Sequence, residues 1–266
     1  MIAYSSYFKT KILNNLQYKS AAIAGIATQI FWGFLNIMVF TAFYSHITNT
    51  DISFEELTSY IWLNQAFLIL IYMRVKNRDI IDNIKNGTVA YELCRPYNLY
   101  IWWYIKHLSE KYAAVLLRFL PIIIIGLMLP TSIKLHLPAS LTSFILFIIT
   151  LFIGSLLICA ITMIIQSIAF FTNESKGISD IIYIIADLFN GSLLPLPLMP
   201  KIIQQIGNYL PFRLISDLPF RIYSGNINVH NAIISIVIQL IWLIILVSFG
   251  ILIMKKALKN ISIQGG

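Results

Sequence analysis

The sequence predicts an all-α, polytopic membrane protein with six transmembrane helices, and three observations predict it. Apolar residues make up 58% of the 266-residue chain and charged residues only 11%, a balance that a soluble fold of this size cannot hide inside one core. Six apolar runs reach the length, about 20 helical residues, needed to cross roughly 30 Å of hydrocarbon. These runs lack the alternation of a membrane barrel, and lipid tolerates only helices and closed barrels across its core.

The runs are Ala21 to Ala42, Leu57 to Met73, Tyr112 to Leu129, Leu141 to Ile165, Ile178 to Leu194 and Ala232 to Met254. The first is far longer than a signal-peptide core and has no small-residue cleavage pattern after it, so it reads as a retained span. The fourth stays apolar to Phe171, which predicts a long or tilted helix. With no repeat between the halves, residues 1–266 read as a single six-helix membrane domain.

The net charge is +8, yet the basic residues sit in gaps between apolar runs rather than on a soluble face, which excludes nucleic acid as a partner. Those gaps set the orientation. Lys9, Lys11, Lys19, Arg74, Lys76, Arg78, Lys85, Arg95, Lys106, Lys111, Lys176, Lys255, Lys256 and Lys259 fall on one side, against Lys134, Lys201, Arg213 and Arg221 on the other. The positive-inside rule then places both termini in the cytoplasm and the chain in the cell membrane as a multi-pass protein. The two cysteines, Cys94 and Cys159, imply no disulfide framework, and no His or Cys spacing suits a metal.

Residues 74–111 form the longest cytoplasmic segment. In RDIIDNIKNG, Ile80, Ile81 and Ile84 share one side of a helix while Asp79, Asp82 and Lys85 take the rest, and Gly87 ends it. The narrow stripe needs a covering surface, either lipid or a partner protein. Pro96 holds Arg95 extended, and YNLYIWWYIKH, with Tyr97, Tyr100, Trp102, Trp103 and Tyr104, suits an elbow at the headgroup level before the third span. On the opposite side, residues 195–231 are too apolar for a plain loop. Pro195, Pro197 and Pro200 forbid a continuing helix, and MPKIIQQIGNYLPF suits a short helix dipping into the outer leaflet.

At these passages the sequence resembles the permease subunits of ATP-binding-cassette (ABC) exporters of the type-2 class, in particular the small six-span permeases. The matching words are Tyr18, IWLNQAF, NGTVAYELCRPYNLY, LLRFLP, FNGSLLPLPLMP, LPF and the closing SIQGG, spread from Tyr18 to Gly266. The resemblance implies an amphipathic helix over residues 1–20 and a coupling helix in residues 74–111 that docks into a separate ATPase. It implies ATPase contacts for Asp79, Ile80, Ile81, Asp82, Ile84, Lys85, Glu92, Arg95, Glu174 and Lys176. It also implies an outer re-entrant helix from Pro195 to Pro211, with Pro195, Pro197 and Pro200 at an outer gate. No G-x-x-x-x-G-K-[ST] occurs in the chain, so this reading makes the chain no enzyme. It holds no cofactor of its own; ATP and Mg belong to two copies of a partner ATPase, which drive a permease dimer of identical or related subunits through alternating access.

Polar residues inside spans are the candidates for a substrate pathway: Gln29, Asn36, Asn64, Gln65 and Asp187. The amides equally suit hydrogen bonding between packed helices, as do Gln166 and Gln239. A charge at a span centre costs roughly 2.5 to 3.5 kcal/mol, so Asp187 faces protein or water, whereas Arg118 can snorkel. Asp180 and Asp187 share a helix face but are too far apart for a catalytic dyad, and no GxSxG is present. Sparse amides among apolar residues favour amphipathic cargo such as peptides, drugs, lipids or glycoconjugates. The alternative is an ATP-independent membrane protein, a secondary transporter or scaffold, in which the amphipathic stripe rests on lipid.

Overall fold

The computed structural model describes residues 2–15, 19–45, 50–74, 79–172 and 176–259, and all the regular structure in them is helical. The longest apolar runs become α2 (Lys19–Tyr44), the broken pair α6 (Leu99–Leu116) and α7 (Phe119–Met128), α8 (Leu141–Thr172) and α12 (Val229–Lys259). These four spans are long and apolar enough to cross a membrane. The second and fifth runs of the six are helical too, but they fall below that length or hydropathy. The second run forms α3 (Phe54–Ile71), whose Glu55, Glu56, Asn64 and Gln65 dilute its hydropathy; its side chains from Leu57 to Phe67 are buried in protein rather than turned to lipid. The fifth forms α9 (Lys176–Phe189), about 21 Å long at 1.5 Å per residue. The last helical bond runs from Asn190 N to the Ala186 carbonyl, and Gly191 at φ +80° ends the helix short of the predicted Leu194.

The core lies between α3, α8 and the segment 212–224. Packing of α8 on α12 is the most extensive helix pairing, pinned by Gln239, whose Nε2 donates to the carbonyls of Thr150 and Leu214 at 2.8 Å. Gly154 lets the chain at Ile215 cross close to α8, where a Cβ would meet the Ile215 carbonyl oxygen. The passage that returns into the bundle is therefore α11 (Asp217–Ser224) with Leu214 and Ile215, buried except at Arg221 and Ser224. The predicted dipping helix exists as α10 (Lys201–Tyr209), but it keeps Ile202, Ile206 and Tyr209 exposed. Ile215, Leu218 and Phe220 offer a more continuous apolar surface than α10, which explains why they take the deeper place.

At the basic end, α1 (Ile2–Asn15) lies along α6. Tyr4 and Tyr7 pack on Trp102 with ring centroids 5.8 and 4.7 Å away, Trp102 stacks on Tyr97, and Lys11 pairs with Glu110 at 3.2 Å. Burial, helped by the Glu110 carboxylate, pushes the Tyr7 hydroxyl up to about 12, so the ring meets Trp102 neutral. The aromatic run is thus packed on one side by α1 of the same chain. Asn98 caps α6 by accepting from Ile101 N, and Leu99, Tyr100, Trp103 and His107, on one helical face, turn into the protein.

Helix α4 (Asp79–Lys85) shows a second departure. Its stripe is covered by this chain itself: Ile80 is buried in a cluster with Val89, Leu99, Tyr100, Trp103, Met163 and Met254, and Ile84 packs against it. Hence Ile80→Ala should cost about 2 to 5 kcal/mol and Ile80→Asp more, whereas Tyr91→Ala on the exposed side should leave stability within about 0.5 kcal/mol. Thermal unfolding of the purified variants in one detergent reads this, and an unchanged midpoint for Ile80→Asp would rule out the packing described.

Candidate functional site

Two regions carry the candidate residues, one at each end of the bundle. At the end opposite the basic one, Asn36 from α2 and Asn64 and Gln65 from α3 meet the loop after α9. With Tyr60, Ser192 and Pro195 they line a cavity of about 20 Å³, room for about one water. Asn64 ties it shut: its Nδ2 donates to the Ser192 carbonyl at 3.1 Å. Gln29 lies one turn from Gly33, where an added Cβ would meet Trp62 and Gln65, so Gln29 shares the α2–α3 seam but not the cavity. The oxygens of Gln29, Asn64 and Gln65 are buried with no hydrogen-bond donor among the described residues.

Asp187 does not join the cavity either. Its Oδ2 pairs with Arg74 Nε at 3.7 Å, and the Arg74 guanidinium lies 6.0 Å over the Tyr183 ring. Lys111 holds the backbone that presents Arg74, donating to the carbonyls of Tyr72 at 2.6 Å and Ile69 at 3.4 Å, so its charge also caps α3.

The three prolines occupy one tight turn. Pro195 and Pro197 are buried, Pro200 is exposed at the start of α10, and Leu196 to Leu198 form a 3₁₀ turn. Leu196 brings the N–H between two residues that have none, and that N–H donates at 3.0 Å to Oδ1 of Asp217, which is 1% exposed. Oδ2 of the same carboxylate takes Arg221 at 3.3 Å. Tyr60 donates to the Gly191 carbonyl at 2.8 Å and lies 3.4 Å from Asp217 Oδ1. Asn190 completes the clasp by accepting from Asp217 N at 3.0 Å and Ser216 Oγ at 2.6 Å. Gly191 is held at φ +80°, where any Cβ would also strike the Tyr60 hydroxyl. Sequence reasoning missed Asp217, Tyr60, Asn190 and Arg221. The available signal was a carboxylate inside LISDLPF together with a single donor inside PLP.

At the basic end the predicted ATPase contacts divide. Asp79, Asp82, Lys85 and Arg95 are exposed, and Ile81 is half-buried. Ile80 and Ile84 face inward, and so does Glu92: Trp103 Nε1 donates to its carboxylate, fixing α5 (Val89–Leu93) on α6. The sequence reading of Ile80 as an outward contact is corrected, because Ile80, 2% exposed, is covered within the chain, whereas Glu92 is half-exposed while held by Trp103. Tyr91, 76% exposed beside Leu93, takes the outward place. Glu174 lies outside the described residues, as does the Lys176 side chain.

No curated protein matches the chain. A family model described as ABC-2 family transporter protein matches residues 30–265.

Removing the buried carboxylate strands Arg221 and the Leu196 N–H at once. Asp217→Ala should therefore cost about 3 to 5 kcal/mol and Tyr60→Phe about 1 kcal/mol, measured by reversible unfolding in mixed micelles. Equal stability of Asp217→Ala and the parent chain would show that the clasp holds nothing.

Proposed function

Because the chain belongs to the ABC-2 transporter family, and is thereby a membrane permease component of an ABC transporter, we propose that it exports amphipathic cargo under the drive of a separate ATPase. Permeases of this family generally work with an ATPase subunit and often dimerise. In the proposed complex two permeases, identical or related, stand on two ATPases that bind ATP and Mg. Both chain termini and the basic end face the cytoplasm of the cell, in keeping with the distribution of Lys and Arg.

The observation that carries this reading is the build of the α4–α5 segment. Its inner side is anchored on α6, α8 and α12 by Ile80, Val89 and Trp103; its outer side presents Asp82, Lys85, Tyr91, Leu93 and Arg95 to whatever lies beyond. Such a piece moves with the spans it is packed on, as a lever driven from outside must. A half-apolar, half-charged surface of this kind suits a protein partner better than a lipid headgroup layer, for which an exposed Asp82 is unfavourable. The second subunit is supported by α9, whose Ile181 and Ile184 are exposed on its outer face. On this reading the proline turn at the opposite end is the outer gate, and Asn36, Asn64 and Gln65 line the pathway just inside it.

Affinity purification of the tagged chain from its native membranes, with stoichiometry by mass spectrometry, tests the proposal. A P-loop ATPase should be recovered near one per permease and be lost on Tyr91→Asp with Arg95→Glu while the permease stays folded. Recovery of no nucleotide-binding protein, under conditions that preserve other membrane complexes, would sink it and favour the ATP-independent transporter or scaffold.

A further inference from the structure

The two ends of the molecule are joined by a short chain of polar contacts. Arg74 follows α3 and leads into α4, the segment assigned above to the ATPase. Its guanidinium reaches Asp187 on α9 at 3.7 Å. Asp187 Oδ1 has no hydrogen-bond donor among the described residues, so the Arg74 charge, itself 45% exposed, is the main compensation for a half-buried carboxylate whose side chain is 17% exposed. Within one turn of Asp187 comes Asn190, whose carbonyl receives both Asp217 N and Ser216 Oγ. Ser192, two residues further, holds Asn64. A displacement of Arg74 thus acts on the last turn of α9, and that turn is the support of the clasp that closes the proline segment.

Energetics give this link two states. With the pair made, the buried carboxylate is compensated; with Arg74 drawn away, an uncompensated charge remains, and α9 lowers its free energy by shifting Asp187 toward water. Packed elements answer such a change by switching between discrete arrangements rather than by bending. Resting on the exporter reading above, we propose that the Arg74–Asp187 ion pair is the positioning contact through which movement of the ATPase-facing segment opens the proline turn.

The test uses the full-length permease with its co-purified ATPase in nanodiscs, where both faces are accessible. Leu196, 2% exposed beneath the turn, is replaced by Cys in a Cys94→Ser background, and its labelling by a polar maleimide reports opening. Arg74→Gln should raise nucleotide-free labelling about tenfold, whereas Asp187→Asn, which leaves no carboxylate to move toward water, should label like the parent without nucleotide; both should abolish the ATP-dependent increment while ATP hydrolysis continues. Arg74→Lys, which keeps the charge, and the exchange Arg74→Asp with Asp187→Arg should both return labelling toward the parent rate. An Arg74→Gln variant that labels like the parent, an Asp187→Asn variant that keeps the ATP-dependent increment, or an exchange no better than Arg74→Gln would overturn the proposal; the last result also identifies variants that open merely because they are misfolded. Should the parent's labelling ignore ATP, the exporter reading fails, while the nucleotide-free comparison still decides the ion pair.

Discussion

A carboxylate that is 1% exposed, Asp217, organises the whole end of the bundle that carries the prolines. The constraint behind it is elementary. In an apolar surround every backbone donor and acceptor needs a partner, and a run such as PLPLMP cannot supply partners through helix or sheet because its prolines break both ladders. The Leu196 N–H is left as a donor with no regular acceptor, and a charged oxygen is the strongest acceptor available to it. Once Asp217 is committed there, its other oxygen needs a cation, which Arg221 supplies from the next turn of α11. The helix carrying both must then enter the bundle, and this places Ile215 against Gly154 and Phe220 against Tyr60.

The basic end is built on the opposite principle. There, burial of apolar surface does the fixing: Ile80, Val89 and Trp103 close over Met163 and Met254, while α1 adds an aromatic layer through Trp102. Apolar packing is non-directional and tolerates small shifts of one helix on another, whereas a charge network with defined donors does not. The molecule thus joins a base fixed by apolar packing to a far end fixed by directional bonds. The exposed residues of α4 and α5, charged Asp82 and Lys85 beside apolar Tyr91 and Leu93, take no part in holding the segment in place.

Much of the fold is legible in the sequence because bilayer thickness turns composition into length. Leu141–Thr172 and Val229–Lys259 are read directly from their apolar runs. What is not legible depends on partners far away in the chain. The stripe Ile80, Ile81 and Ile84 announces a covered face, but its cover comes from Met163 and Met254, which no local pattern identifies. The aromatic run after Pro96 has the composition of an interfacial belt; only the placement of α1 and α8 around it shows that Trp102 and Trp103 are enclosed by protein. The length of α9 was misjudged for a local reason, since GSLL is apolar enough to extend a span while Gly191 at φ +80° cannot continue one. The amides Asn36, Asn64 and Gln65 were found by polarity alone; that they meet Pro195 around one cavity required the fold.

Those amides bear on how the closed form is maintained. Packing α2 on α3 leaves the oxygens of Gln29, Asn64 and Gln65 buried and unpaired, and each such group costs about 1 to 3 kcal/mol relative to a hydrated one. A seam with that composition does not hold itself together by polar complementarity. It stays closed because Trp62 fills the space against Gly33 and because Asn64 and Tyr60 are tied to the loop that Asp217 secures. The seam is therefore held from outside itself, by Trp62 filling the space at Gly33 and by a loop whose position the Asp217 carboxylate fixes.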